Sequence, residues 1–255
     1  MACKKGGFVA FFFNKGFGTI DIPSGKETFF LGGENIPVPG PKVRGNDGNV
    51  DPKGRFIAGE YDEANTGLGR VMRLNDDKTY SVLVDKIQGF NGPVWSLDKK
   101  TFYYVDTANP PIKAVEYDVE TGKMGKSRNV LDSSDEIGGG FDGATIDSDG
   151  YLWWAIFGGS KIVRIDPAKG EVERYIDLSN LNVKNITSVS FGGPGYRYLL
   201  ATTAGFHSGQ NNDGGIVLIE FTEKEGIHGV KPDFWNEGQK EELIMRSKRM
   251  LNKSE

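Results

Sequence analysis

The chain has 255 residues, a net charge of −4 and one cysteine, Cys3. That length suits a single all-β barrel or propeller, and an aromatic fraction of 11% excludes general disorder. The charges are spread along the chain, so no basic stripe exists to neutralise nucleic-acid phosphates. A lone cysteine permits no intrachain disulfide and suits a reducing compartment.

At the N-terminus, Lys4 and Lys5 precede an apolar run over 8–13, in the manner of a signal peptide. The run is shorter than the usual h-region of about 7–15 residues, and no small-residue cleavage site follows. No apolar run reaches the roughly 18 residues that span a bilayer. The expectation is a cytoplasmic protein with neither a membrane nor a nucleic-acid partner.

Four later segments align with one another: GNDGNVDPKGRFIAGEY from Gly45, FNGPVWSLDKKTFYYVD from Phe90, FDGATIDSDGYLWWAIF from Phe141 and ITSVSFGGPGYRYLLATT from Ile186. They place Asn46, Asn91, Asp142 and Thr187 in one column, at spacings of 91−46 = 45, 142−91 = 51 and 187−142 = 45. In each, a short apolar stretch leads to a turn, of the form Asp-x-x-Gly at Asp51–Gly54 and Asp147–Gly150, and then to an aromatic strand. Asp bonds nearby backbone and Gly accepts positive φ, which is why such turns are tight. Further alternating runs over 113–118, 127–131, 161–166 and 171–176 complete each unit. Helical periodicity is nearly absent.

About four strands per 45 to 51 residues predicts propeller blades. The alternative, a β-sandwich with chance similarity, does not account for a turn and an aromatic strand that recur together. Residues 5–12 match the turn-plus-strand half of a unit, so the chain is expected to begin inside a blade that lacks its first strand. A strand is expected over 214–220, and residues 240–253 read as a short charged helix. The domain boundaries are therefore a propeller over 1–235 and a tail over 236–255.

Propellers gather their innermost strands around a central channel, so one repeat column converges on one axis. Asn46, Asn91 and Asp142 would present oxygen donors there, suited to Ca²⁺ or Mg²⁺ and permissive for Zn²⁺ or Mn²⁺. Spacing alone leaves open that each Asn or Asp merely caps a turn before its Gly. Other chemistries have less support. His207 and Ser208 precede no helix and belong to no nucleophile elbow, His228 is isolated, and the glycines at 138–140 and 192–193 do not open helices.

Several stretches carry a family resemblance: Arg44-x-Asn46-Asp47-Gly48-x-Val50-Asp51-Pro52-x-Gly54-Arg55, Asn91-Gly92-x-x-Trp95-Ser96-x-Asp98, Phe141-Asp142-Gly143-x-x-x-Asp147-x-x-Gly150-x-Leu152-Trp153 and Ile162-x-Arg164-x-Asp166-Pro167. In these the sequence resembles the regucalcin/gluconolactonase family, which includes senescence marker proteins and insect luciferin-regenerating enzymes. The resemblance implies a six-bladed gluconolactonase-type propeller, here with about five blades, the N-terminal one missing or incomplete. It further implies one divalent cation, Ca²⁺ first, held by Asn91 and Asp142. Arg44 and Asn46 match substrate-contacting positions, and Glu63 lies near another.

Two departures stand out. The family's third protein ligand, a glutamate within Gly-Glu-x-Pro, has no counterpart in this sequence, which reads as a shortened family member. Gly45 also replaces the family's aromatic between Arg and Asn. The implied activity is hydrolysis of a small sugar lactone, with Asp142 as the base for the attacking water. A non-catalytic calcium-binding role and hydrolysis of a non-sugar substrate such as oxyluciferin stand as alternatives. Unpaired blade edges predict a monomer or weak self-association.

Overall fold

The computed structural model of the protein describes residues 2–4, 7–12, 16–32, 36, 40–132, 137–206, 209 and 212–236. His207, Ser208 and the tail expected over 236–255 lie outside these residues, apart from Asn236. The described strands form five antiparallel sheets, each a run of consecutive strands, as blades of a propeller.

Blade I holds β1 (Ala2–Lys4), β2 (Gly7–Phe12), β3 (Gly16–Asp21) and β4 (Glu27–Leu31). Blade II holds β5 (Val43–Val50), β6 (Phe56–Asp62), β7 (Gly69–Leu74) and β8 (Tyr80–Ile87). Blade III holds β9 (Phe90–Trp95), β10 (Thr101–Asp106), β11 (Lys113–Asp118) and β12 (Lys123–Asn129). Blade IV holds β13 (Gly140–Ile146), β14 (Leu152–Phe157), β15 (Lys161–Asp166) and β16 (Glu171–Asp177). Blade V has three strands, β17 (Ile186–Gly192), β18 (Tyr198–Thr203) and β19 (Ile216–Glu220). The inner strands β5, β9, β13 and β17 contact one another in succession, which builds the channel wall.

Three expectations change. Blade I does not lack its first strand, because β1 pairs with β2 through Ala2 opposite Val9 and Lys4 opposite Gly7. The outer strand of blade III starts at Lys123 rather than 127, since Tyr117 pairs with Met124 across a bulge and draws the earlier residues into the sheet. The last strand starts at Ile216, Gly214 and Gly215 being spent on the turn bonded to Thr203. On β19, the outer edge of blade V, Ile216 and Leu218 are exposed.

The core lies between blades, as strand alternation requires. Trp153 and Trp154, adjacent on β14, face opposite sides of blade IV: Trp153 packs with Phe191 and Phe221 against blade V, and Trp154 with Phe141 and Val94 against blade III. Two turn aspartates are buried anchors. Asp51 accepts from the N–H groups of Lys53 and Arg55, from the Arg55 guanidinium and from the Tyr117 hydroxyl of blade III. Asp147 accepts from Asp149 and Tyr151 N–H, from Trp153 Nε1 and from Arg164 Nε. Asp149 is exposed and reaches the Arg164 fork.

Beyond β19 the chain becomes a strap that sequence periodicity does not announce. Phe221 and Ile227 join the core between blades IV and V, and Gly229 bridges to Asp147. Trp235 then stacks on Phe30, centroids 5.8 Å apart, in the core between blades I and II, and Asn236 N–H donates to Gly54 O. Residues 230–233 of the strap line the turn end of the channel, where a cavity of about 410 Å³ reaches inward to Asp47. No helix among the described residues is long and apolar enough to cross a membrane.

Candidate functional site

The inner strands β5, β9, β13 and β17 each carry a bulge at or next to the repeat column. Gly45 pairs with Glu60 and Gly48 with Ala58, so Asn46 and Asp47 together oppose one residue of β6. Gly92 and Pro93 likewise oppose Tyr104, and Asp142 and Gly143 oppose Ala155. In blade V, Thr187 is the unpaired residue between Ile186 and Ser188. A bulge turns side chains out of the pleat; Asn46, Asp142 and Thr187 lie in the bulges themselves, whereas Asn91 pairs with Val105 one residue before the bulge of β9. Gly92 sits at φ +64°, where a Cβ would fall 2.2 Å from Trp154 Cζ2. The indole packs into that space against blade III, while its Nε1 donates to Asp142 O within blade IV at 2.7 Å, directly under the site.

The structure brings Arg44, Asn46, Glu63, Asn91 and Asp142 together. Arg44 Nε donates to Glu63 Oε1 at 2.9 Å, and its guanidinium lies 4.9 Å over the Tyr61 ring. Glu63 is placed by Asp62, a buried carboxylate that accepts from the Thr66 hydroxyl and from the N–H groups of Ala64, Thr66 and Leu68. The Thr66 hydroxyl first, and then those amides, draw Asp62 down to about 2. The missing aromatic at Gly45 has a steric cause: a Cβ there would lie 2.7 Å from the ring of Phe11 in blade I.

From Arg44 a directional relay crosses the channel wall. Arg44 Nη1 donates to Asn46 Oδ1 (2.8 Å), Asn46 Nδ2 to Asn91 Oδ1 (2.8 Å) and to Phe90 O (3.0 Å), and Asn91 Nδ2 to Thr107 Oγ1 (2.7 Å). The Thr107 hydroxyl donates to Phe141 O at 3.0 Å. A guanidinium can only donate and a backbone carbonyl can only accept, so the two ends set the direction of every amide between them. Asn91 Oδ1 is thereby held 3.1 Å from Asp142 Oδ1, acceptor facing acceptor. The reversed Asn91 amide would satisfy Asp142 locally but would set two NH₂ groups 2.8 Å apart at Asn46.

Two facing oxygens need a proton or a cation between them. Burial, and after it the charge of Asp47, push the Asp142 carboxyl up to about 8, against the pull of Gly143 N–H and Arg44. Asp47 is also raised by burial, while Gly92 and Gly48 N–H bind its two oxygens. Among the described residues no group of three or more His, Cys, Asp or Glu is placed to hold a metal. The hard oxygen pair of Asn91 and Asp142 does fit a divalent ion that draws its remaining ligands from water or substrate. Thr187 takes no part and bonds Thr202 instead.

Sequence reasoning did not assign Asp47 or Thr107. Asp47 stood inside a quoted motif but reads there as a turn residue before Gly48. Thr107 follows the end of β10 and lies outside the repeat column, so no spacing signal pointed to it.

A propeller with a polar channel site built from its inner-strand bulges is the class this geometry defines. The chain belongs to the SMP-30/Gluconolactonase/LRE-like family, whose model matches residues 1–205. It is 34% identical over 204 residues to regucalcin of Xenopus laevis, covering 75% of this chain and 66% of the relative. Human regucalcin is 35% identical over 195 residues, 73% of this chain and 62% of the relative. The chain thus spans just under two thirds of the length of these curated relatives. Among solved structures, a luciferin-regenerating enzyme superposes with a TM-score of 0.78 at 25% identity, over 91% of this chain and 78% of the other. A calcium-binding protein, regucalcin, from Agrobacterium tumefaciens does so with the same score and identity, over 92% and 78%.

Proposed function

We propose that this chain holds one divalent cation between Asn91 and Asp142 and hydrolyses a small sugar lactone at the adjoining channel mouth. The observation that carries this reading is the relay from Arg44 to Phe141 O, which holds two oxygens from neighbouring blades face to face. A bound cation would supply charge to polarise the lactone carbonyl and offset the negative charge growing on its oxygen. Asp142 takes the proton of the attacking water, its carboxylate being ionised once positive charge replaces the proton it otherwise carries. Arg44, braced by Glu63 and Tyr61, and Asn46 orient substrate hydroxyls. A hydroxyl-rich ring suits them because buried polar groups left unpaired are costly.

Ca²⁺ is the first choice of ion for an all-oxygen pair, and Zn²⁺, Mn²⁺ and Mg²⁺ are the comparisons to make. Proton release from gluconolactone, followed in a pH-stat with each ion, tests the reading. Turnover abolished by chelation and by Asp142→Ala is the expected result, and hydrolysis indifferent to both refutes it. A second reading, calcium binding without turnover, is supported by the lack, among the described residues, of any group of three or more His, Cys, Asp or Glu placed to hold a metal. Calorimetric Ca²⁺ binding beside inactivity over a lactone panel would favour it.

A further inference from the structure

We propose that Thr107 is a positioning residue that keeps Asn91 Oδ1 turned into the channel, so that the oxygen pair with Asp142 is assembled before a cation arrives. The inference rests on the divalent-cation reading above. The two faces of an amide have nearly the same shape, and near Asp142 the reversed face makes the better hydrogen bonds. Turned over, Asn91 Nδ2 would stand 3.1 Å from Asp142 Oδ1 and 3.0 Å from Phe90 O. Beside the carboxylate form of Asp142, the form that ligates a cation, the immediate surroundings therefore favour the orientation that cannot ligate it.

The outcome is decided further out. Thr107 has one hydroxyl proton, and Phe141 O takes it at 3.0 Å, which leaves lone pairs as the only face that Asn91 meets, at 2.7 Å. A lone pair calls for the Asn91 NH₂ group on that side and so sends its oxygen to the channel. A reversed Asn91 would need the same proton for its own oxygen and would strip Phe141 O of its donor. Arg44, acting through Asn46, imposes the same sense from the other end. Thr107 also ties blade III to β13 one residue before Asp142, so a single hydroxyl sets the Asn91 amide and the neighbouring backbone of its partner.

Thr107→Val keeps the shape of the side chain and removes the hydroxyl. Without it, Asn91 Nδ2 loses its acceptor, and the orientation of the amide is left to the Arg44–Asn46 end of the relay. Calorimetric titration of the chain with CaCl₂ should then show affinity lower by about tenfold, the scale of one hydrogen bond. Thr107→Ser retains the hydroxyl and should bind within about twofold of wild type on the same reasoning. Thr107→Ala serves in place of the valine variant if that one does not fold. Wild-type binding with no loss in Thr107→Val, or a serine variant as weak as the valine one, overturns the role of Thr107. A wild-type chain that binds no calcium overturns the cation reading and this inference with it.

Discussion

The Asp142 carboxyl gives a quantitative handle on the site. In the metal-free protein it is raised to about 8, first by burial and then by the Asp47 charge, so at neutral pH it holds a proton. A divalent ion binds the ionised form, hence each bound ion must displace that proton. Below about pH 8 the apparent affinity should rise about tenfold per pH unit, because one unit of pKa is equivalent to a factor of ten in the proton equilibrium. Between about pH 6 and pH 8 the total gain is about fiftyfold, and above that the curve flattens. Calcium titrations at several pH values, in buffers of differing ionisation enthalpy, read both the slope and the number of protons released. Asp142→Asn should bind weakly with no such slope. Equal wild-type affinity at pH 6 and pH 8, or no proton release at neutral pH, would refute the placement of the ion on this carboxyl.

For folding without metal the same shift has the opposite sense. The folded pKa of Asp142 lies above its unfolded value, so its contribution to stability is full below about pH 4 and is lost as pH rises toward 8. Urea melts of wild type and Asp142→Asn should diverge over that range, with the variant gaining as pH rises. Asp147→Ala should cost about 3–5 kcal/mol in the same assay, because it leaves Trp153 Nε1 and the buried Arg164 without their shared acceptor; a loss under about 1 kcal/mol would contradict the anchor role of Asp147. Trp235→Ala should cost a comparable amount, about 3–5 kcal/mol, by vacating its stack on Phe30 in the core between blades I and II. Glu63→Gln should leave stability within about 1 kcal/mol, since the pair with Arg44 is partly exposed. Lactone kinetics on that variant should show a raised KM with little change in kcat.

Much of the fold was legible because a blade is a local object. Alternation, Asp-x-x-Gly turns and a recurring aromatic strand are short-range signals, and their repetition located blades II to V and the limits of several strands in blades III and IV. Errors fell where pairing across a sheet decides. The three residues of β1 carry too little pattern to announce a strand and become one only by pairing with Val9, Phe8 and Gly7. The early start of β12 at Lys123 likewise follows from its partners on β11. The strap has no periodicity at all, since its apolar residues are spaced to reach different blades rather than one face.

At the site, the column of Asn46, Asn91 and Asp142 was readable because the blades repeat the same inner-strand sequence pattern at near-constant spacing, and the same repeat offered Thr187, which bonds elsewhere. Chain chemistry alone determined which residue types line the channel and how many blades present them. Which oxygen faces which was settled only by tertiary contacts. Asn91 could not be oriented without Arg44 and Asn46 on one side and Thr107 and Phe141 on the other, residues up to 97 positions apart in sequence, counted as 141−44. The charge state of Asp142 depends in the same way on enclosure and on Asp47 from another blade. Hydrogen-bond direction and desolvation are properties of what surrounds a group in space, and a linear sequence does not state its surroundings.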